Sequence, residues 1–275
     1  MRELNNKIAV IIPSLKNHSN LKSLLDDISA QSIKNIDIQI VKGVSPNGKA
    51  RNIGAAKAAG DILIFLDDDV RLGHSKVFEN LIFSLKEKNI GLTGTSQQIP
   101  PNSSWFQKKC AIQLDRTEYK IVNALTESDM VTTQCCAIKR KVFCQLGGFN
   151  EKIIRGVDPE FRYRLRQKDY KIVIVPKSWH YHPMPEDLRK LIRIQFRNGY
   201  SSAFVFRYWP DLLIETPNND DTEFVAKQSL LYRTFRFIKE TMEALIRFKI
   251  FLFIANISYR IGYIYGLMLA NKDSC

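Results

Sequence analysis

Residues 60–73 read "GDILIFLDDDVRLG", and this stretch decides the fold class. Five apolar residues, Ile62–Leu66, are followed at once by Asp67, Asp68 and Asp69. An apolar run too short for a helix and bounded by polar residues is typical of a buried strand in an α/β sheet. Because open α/β sheets bind ligands beyond the carboxyl ends of their strands, the three aspartates are expected to lie at a binding site.

The residues on the N-terminal side of this strand alternate between short apolar runs and helical patterns. Strands are predicted at residues 8–13 and 36–41, and helices at residues 20–31 and 49–60, the second of which Gly60 is expected to end. Strand–helix alternation predicts an α/β fold with a mostly parallel, doubly wound sheet that is flanked by helices.

The pattern continues less clearly on the C-terminal side. A helix is predicted at residues 77–88, a strand and a helix start within 130–143, a helix at 159–170 and a strand at 171–176. Residues 94–129 carry no clear pattern, and "QQIPPNSSW" within them is predicted to be a loop. We expect this region to shape the site of an acceptor substrate.

Composition limits the functional classes. The 275 residues suffice for one large α/β domain with or without a tail, and the net charge of +13 favours nucleotides, nucleic acid or an acidic membrane as partners. Five cysteines without a C-x-x-C pair indicate neither a disulfide framework nor a zinc knuckle, and reduced thiols favour the cytoplasm. The N-terminal apolar run is too short for a secretory signal.

The aspartate triplet has a chemical interpretation and a simpler alternative. If the chain stays extended, Asp67 and Asp69 share a face and Asp68 points away. Neighbouring carboxylates raise each other's pKa, and a Mg²⁺ or Mn²⁺ ion removes that penalty. The alternative is a solvated acidic turn or a helix N-cap.

Four segments in order carry a resemblance to a known family. They are "IAVIIPSLKN", "GKARNIGAAKAAGDILIFLDDDV", "AIKRKVFCQLGGFNE" and "GVDPEFRYRLRQKDYKI". Together they resemble family 2 glycosyltransferases of the GT-A fold over residues 7–200. The resemblance implies inverting transfer of a sugar from a nucleotide-sugar donor, a UDP-sugar by default, to a glycan or lipid-linked acceptor, with Mn²⁺ or Mg²⁺ as cofactor.

The resemblance also implies roles for individual residues. The D-x-D motif of the family, which holds the metal and the donor diphosphate, matches Asp67 and Asp69, and His182 is a further expected metal ligand. Asp158 in "GVD" matches the general base, with a helix N-cap as the alternative. Val157 stands where relatives carry Glu.

The donor pocket is expected along the same edge. The predicted donor-binding residues are Pro13, Ser14, Asn17, Ser45, Arg51, Asn52, Asp67 and Asp68. For Arg51 the alternative is a surface arginine on an Ala-rich helix. Lys42 and Gly43 replace the acidic residues with which relatives read the nucleobase, so the UDP assignment rests on the family default.

The C-terminal segment differs from the rest of the chain, and the domains are predicted to be a catalytic domain at 1–210 and a helical tail at 211–275. Residues 231–260 carry six basic and two acidic side chains among many aromatics. Residues 250–270 approach the length of a membrane span, but Arg260 falls at the middle, where a charge costs at least about 2.5 kcal/mol. We therefore expect a tail that lies on the anionic cytoplasmic face of a membrane. The alternative is packing on the catalytic domain or on a second subunit.

Two other functional classes compete with the transferase interpretation. The basic charge would suit a non-catalytic nucleotide- or nucleic-acid-binding module, but no helix-turn-helix, RNP or zinc signature is present, so nucleic acid is not an expected partner. A degenerate, membrane-associated scaffold is the second alternative. Lys42 and Val157 support it, whereas the retained aspartates speak against it.

Overall fold

A central sheet flanked by helices forms the body of the protein. The computed structural model describes residues 7–15, 20–114, 116–215 and 224–269. The strands are β1 (Ile8–Ser14), β2 (Ile36–Lys42), β3 (Ile62–Leu66), β4 (Arg71–Leu72), β5 (Ile90–Gln98), β6 (Thr126–Glu127), β7 (Cys135–Lys139) and β8 (Lys171–Tyr181). The helices are α1 (Asn20–Ser29), α2 (Asn47–Lys57), α3 (Val77–Ser84), α4 (Trp105–Gln113), α5 (Arg140–Gln145), α6 (Val157–Arg166), α7 (Leu188–Tyr208), α8 (Leu230–Ile246) and α9 (Ile250–Leu269).

The sheet has the strand order β2-β1-β3-β7-β5-β8-β4, with β6 paired to β8. β1 runs parallel to β2 and β3, and β5 runs parallel to β8, whereas β7 is antiparallel to both of its neighbours. The predicted α/β class with a mostly parallel sheet and flanking helices is confirmed, since β1, β2, β3, β5 and β8 run in one direction. β7 is an antiparallel strand inserted between β3 and β5, and it places Cys135 opposite Leu66 at the carboxyl end of β3.

Strand β3 is buried on both faces, as its unbroken apolar run predicts. Ile62, Ile64 and Leu66 belong to one hydrophobic cluster, and Leu63 and Phe65 to the other. The alternation of side chains along a strand sends successive residues to opposite faces of the sheet. β3 therefore fixes the position of the aspartates that follow it.

Helix α2 lies close to the sheet because of one glycine, and it ends earlier than predicted. A Cβ atom at Gly54 would lie 2.5 Å from the Ile11 side chain. The helix ends at Lys57, with the backbone N–H of Ala58 donating to Gly54 O, so the prediction that Gly60 ends it is wrong. Gly60 instead permits a close backbone contact, since a Cβ there would lie 2.4 Å from Ala9 N.

Helix α4 and the second half of strand β5 fall in residues 94–129, for which the sequence shows no clear pattern. Seven of the nine β5 residues are buried although several are polar, such as Thr93, Thr95 and Ser96. The Thr93 hydroxyl donates to Leu81 O and Ala137 O, so hydrogen bonds satisfy a buried polar group. An apolar-run criterion misses such a strand, and the predicted loop at 97–105 holds the end of β5 and the start of α4.

Helix α9 packs directly on helix α7. A Cβ atom at Gly199 would lie 1.9 Å from Tyr259 O, and one at Gly262 would lie 2.0 Å from Phe196 O, so glycines allow the two backbones to meet. α9 also contacts α4 through Phe106 and Phe251, whose ring centroids are 4.9 Å apart. By length and composition, α9 is the helix of the described residues that could cross a membrane.

Candidate active site

The three aspartates lie in a turn at the carboxyl end of β3. The strand ends at Leu66, and the chain turns at Asp68 and Asp69 instead of continuing extended. The turn still brings Asp67 and Asp69 together, because one ligand atom each from Asp67, Asp69 and His182 all lie within 4.8 Å of one another. Asp68 is directed elsewhere, and its Oδ2 accepts a 2.6 Å hydrogen bond from the Ser14 hydroxyl.

His182 reaches the aspartates, whereas His180, two residues earlier in the chain, does not. His182 follows the end of β8, and its Nε2 lies 3.6 Å from Asp69 Oδ1. His180 is buried, with Nδ1 2.7 Å from the Thr95 hydroxyl. Burial, with a contribution from His182, lowers the pKa of His180 to about 3, so its imidazole is neutral at physiological pH. His180 therefore supports β8 from inside the protein.

Asp67, Asp69 and His182 form a cluster in which Asp67 interacts with several charged groups. Burial, reinforced by the Asp69 charge, raises the pKa of Asp67 from 3.8 to about 6, while Arg51 opposes the shift. Arg51 Nη2 lies 2.5 Å from Asp67 Oδ1, and the Arg51 side chain is only 3% exposed, which excludes the surface alternative. Arg51 thus holds the Asp67 carboxylate in place.

The cluster fits a divalent cation. Two of its donors are carboxylates, the oxygen ligands that Mn²⁺ and Mg²⁺ prefer, and the third is an imidazole, which is a ligand of transition metals rather than of Mg²⁺. The raised pKa of Asp67 shows that Arg51 alone does not offset the cost of ionising this desolvated carboxylate. A bound cation would offset the remaining cost.

Asp158 lies in the first turn of α6. The N-cap position is taken by Gly156, whose φ of 74° is left-handed, so the N-cap alternative for Asp158 is wrong. Asp158 Oδ1 accepts a 3.0 Å hydrogen bond from the backbone N–H of Thr133, which precedes β7. Asp158 is also one of the charges that raise the pKa of Asp67, so the base candidate and the cluster lie within electrostatic reach.

Three residues around the site escaped the sequence analysis. Thr133 fixes Asp158, and the Gln134 carbonyl accepts from the backbone N–H of Asp67 at 3.2 Å. The guanidinium of Arg162, which is 2% exposed, donates to Val131 O at 2.6 Å. Burial lowers the pKa of Arg162, and the Asp158 charge opposes this. The available signal was the polar "TTQ" before an apolar strand, but its position depends on the reversed direction of β7.

The remaining predicted donor residues occupy different positions. Pro13 and Ser14 are buried at the carboxyl end of β1, next to the aspartate turn. Ser45 is exposed in the turn before α2. Asn17 lies outside the described residues. Donor contact by these residues stays a prediction.

Asn52 faces the segment that precedes α6 and makes its hydrogen bonds there rather than to Asp67 or Asp69. Its Nδ2 donates to Phe149 O and to the Glu151 carboxylate, both at 2.9 Å, and its Oδ1 accepts from Phe149 N. These bonds tie α2 to the chain that leads into Asp158. Donor contact by Asn52 stays a prediction.

Comparisons with known proteins agree with this architecture. A family model described as "Glycosyltransferase like family 2" matches residues 33–201. The O-antigen chain rhamnosyltransferase RfbN of Salmonella typhimurium is 25% identical over 217 residues, which cover 66% of this chain and 69% of that protein.

Solved structures show the same fold. The mannosyltransferase PcManGT from Pyrobaculum calidifontis, in complex with GDP-Man and Mn²⁺, superposes with a TM-score of 0.62 at 12% identity, over 98% of this chain and 88% of the other. GalNAc-T7 with UDP, GalNAc and Mn²⁺ gives 0.53 at 15% identity, over 76% and 49%.

Proposed function

Because the chain belongs to glycosyltransferase family 2 and has the GT-A fold, we propose that it transfers a sugar from a nucleotide-sugar donor to a glycan or lipid-linked acceptor with inversion of configuration. The observation that carries the proposal is the grouping of Asp67, Asp69 and His182 beyond β3, with Asp158 in electrostatic reach. This arrangement offers an anchor for a diphosphate and a base for an acceptor.

The donor side of the reaction belongs to the aspartate turn. Asp67, Asp69 and His182 would hold Mn²⁺ or Mg²⁺, which when bound supplies Lewis-acid stabilisation to the departing diphosphate. The buried guanidinium of Arg51 fixes the Asp67 carboxylate. The hydrogen bond between Ser14 and Asp68 fixes the turn against β1. These contacts preorganise the turn before the donor arrives.

Asp158 acts on the acceptor side. Its carboxylate takes the proton from an acceptor hydroxyl while that oxygen attacks the anomeric carbon and the bond from this carbon to the diphosphate oxygen breaks. A single displacement of this kind inverts the anomeric centre. The backbone N–H of Thr133 orients the carboxylate.

The donor nucleotide is proposed as a UDP-sugar by family default. Lys42 and Gly43 stand at the end of β2, where the resemblance would place acidic residues that read the base. The similar proteins named above include a rhamnosyltransferase and complexes with GDP-Man and with UDP. The nucleobase and the sugar of the donor are therefore to be identified by a donor screen. Similarity to an O-antigen enzyme supports a role in cell-envelope polysaccharide synthesis.

We place the protein on the cytoplasmic face of a membrane as a peripheral protein. Large apolar side chains along α8 and at its end are exposed, including Leu231, Phe235 and Phe248, and basic Lys239 and Arg247 lie among them. Apolar and basic groups on one helix suit an interface with anionic lipids. Exposure along α8 supports this location more directly than the length of α9, one face of which is covered by α7.

A donor screen tests the proposal. The 275-residue chain is incubated with UDP-, GDP- and dTDP-sugars, with Mn²⁺, with Mg²⁺ and with EDTA, and release of nucleoside diphosphate is measured. We expect release with one nucleotide class that EDTA abolishes and that Asp69→Asn abolishes. The matched control is Asp61→Asn, since Asp61 is an exposed aspartate on the other end of β3. Metal-independent release, or full activity of a folded Asp69→Asn protein, would overturn the proposal.

A further inference from the structure

A cavity adjoins the turn that carries Asp158. It has a volume of about 380 Å³ and is enclosed by the start of α6 and by α7, α8 and α9. Gly156 and Pro159, which stand on either side of Asp158 in the chain, form part of its wall. The carboxylate of Asp158 itself bonds to Thr133. The cavity therefore borders the proposed active site.

Three buried donor groups in this cavity have no hydrogen-bond partner among the described residues. Tyr263 is 5% exposed, and its hydroxyl makes no hydrogen bond there. The Nε of Arg260 and the Nδ2 of Asn256, which are also buried atoms, are likewise without one. All three residues line the cavity. Buried polar groups are normally satisfied, so three such groups around one cavity point to a ligand that accepts hydrogen bonds.

The charges around the cavity also favour an anion. The lining includes the arginines Arg155, Arg233, Arg236 and Arg260 and the glutamates Glu160, Glu215 and Glu240. Within the described part of the chain each glutamate is in an ion pair with an arginine: Glu215 with Arg233 and Arg236, Glu240 with Arg236, and Glu160 with Arg164.

Arg260 has no carboxylate within ion-pair distance in the described ranges. Its guanidinium lies 3.8 Å from the centroid of the Phe237 ring, which holds it as a planar donor at the cavity wall. Burial lowers its pKa, and the charge of Arg233 contributes to the lowering. An anion at this position would stabilise the charged Arg260 guanidinium and so offset both effects.

From this geometry we propose that the cavity binds a phosphate or diphosphate ester, with Arg260, Tyr263 and Asn256 as its donors. Guanidinium groups match phosphate oxygens, and a tyrosine hydroxyl and an amide N–H complete a set of donors. We assign this phosphate to the acceptor substrate, because the cavity borders the turn that carries the proposed base Asp158 and not the aspartate turn. This assignment rests on the proposed function.

The apolar side chains at the cavity indicate a lipid ester. Leu230 lines the cavity and is 54% exposed, and the adjacent Leu231 is 72% exposed. A hydrocarbon chain that leaves the cavity would meet these side chains and the exposed face of α8. The phosphate is thus expected to belong to a lipid-linked acceptor.

The test measures binding of inorganic pyrophosphate and of farnesyl diphosphate to the full chain by calorimetry. EDTA is present to chelate divalent cations, so that metal-dependent binding at the aspartate turn does not contribute. We expect Arg260→Met to weaken both at least about tenfold and Tyr263→Phe to weaken them severalfold. The matched controls are Arg193→Met and Tyr265→Phe, since Arg193 and Tyr265 are exposed and lie outside both the cavity lining and α8. Tyr263→Phe removes one oxygen and keeps the ring, so it retains its value if Arg260→Met unfolds.

The outcomes separate the ligand sources and the two proposals. Tighter binding of farnesyl diphosphate than of pyrophosphate supports the lipid-linked ester, whereas equal binding supports a site for the diphosphate alone and overturns the lipid assignment. Unchanged binding in folded Arg260→Met and Tyr263→Phe proteins overturns the site. If the wild type binds pyrophosphate through Arg260 but releases no nucleoside diphosphate from any donor, the proposed function fails and this site stands.

Discussion

At the scale of single residues, Asp67 shows how the site depends on opposed electrostatic effects. Removal from water favours the protonated carboxyl group, and the Arg51 guanidinium, 2.5 Å away, favours the carboxylate. The first effect is larger, so the pKa of Asp67 rises to about 6. Near neutral pH the ionised Asp67 carboxylate therefore costs free energy in the folded protein until a cation binds beside it.

This shift predicts a pH-dependent stabilisation by Mn²⁺. The pKa of Asp67 in the folded protein, about 6, exceeds the ordinary value of 3.8, so the folded state holds a proton that the unfolded chain has released. Stability is therefore lost as pH rises from about 4 through 6, and metal binding to the ionised carboxylate restores it. We expect Mn²⁺ to raise Tm more at pH 7.5 than at pH 5.5. Equal Tm increases at the two pH values, measured by calorimetry, would contradict this account of Asp67.

Asp158→Asn separates the base from donor binding. Loss of a general base is expected to lower kcat by about 10²–10⁴-fold. Since Asp158 belongs to α6 and not to the aspartate turn, the Kd of the nucleotide sugar in the presence of Mn²⁺ should stay within about twofold. Asp169→Asn, at an exposed position just after the same helix, is the control. A kcat near that of the wild type would show that another group takes the proton.

At the scale of secondary structure, predictability followed the chemistry of each element. β3 matches its predicted bounds because burial on both faces requires an unbroken apolar run. β5 was missed because its buried threonines satisfy their hydroxyls internally. The N–H of Thr133 reaches Asp158 because β7 is reversed, and strand direction depends on the path of the connection, which local sequence does not encode.

The same limits apply to the site itself. Asp67, Asp69 and His182 were predictable because their motifs adjoin recognisable strands, and the structure brings them together. Asn52 and Arg51 share a helix and a motif, yet Arg51 contacts Asp67 and Asn52 contacts Phe149. The distinction depends on the direction of each side chain relative to the sheet.

The contact between α7 and α9 gives a prediction about stability. A methyl group in a helix interior normally stabilises relative to glycine by about 1 kcal/mol. In Gly262→Ala, however, the added Cβ would lie 2.0 Å from Phe196 O, so we expect a lower unfolding free energy by about 1–3 kcal/mol in urea titrations. Ile261→Ala, at the exposed neighbouring position, should change it by about 0.5 kcal/mol or less. A stabilised Gly262→Ala protein would show that the two helices do not meet.

At the scale of the whole molecule, the C-terminal helices combine two surfaces. One face of α9 is sealed against α7, while α8 presents apolar side chains outwards. The division into a domain at 1–210 and a tail at 211–275 stays a prediction, and the close packing of α9 on α7 crosses that boundary. The sequence indicated both membrane contact and packing as alternatives for the tail. It did not indicate that α9 packs on the protein while α8 exposes apolar side chains.

Membrane contact through α8 gives a prediction of its own. Phe235 and Phe248 are 69% and 83% exposed, so changing both to Ser should reduce flotation with vesicles that contain phosphatidylglycerol by at least about tenfold. Phe83→Ser is the matched control, because Phe83 is 66% exposed on α3. Equal flotation of the two variants would place membrane contact elsewhere or remove it.

The most direct test of the central claim is the anomalous scattering of Mn²⁺ in crystals grown with the nucleotide sugar that the screen identifies. The account predicts one strong peak within coordination distance of the Asp67 and Asp69 carboxylates and of His182, with diphosphate oxygens completing the ligand set. A peak elsewhere, or a bound diphosphate with no manganese beside these aspartates, would contradict it.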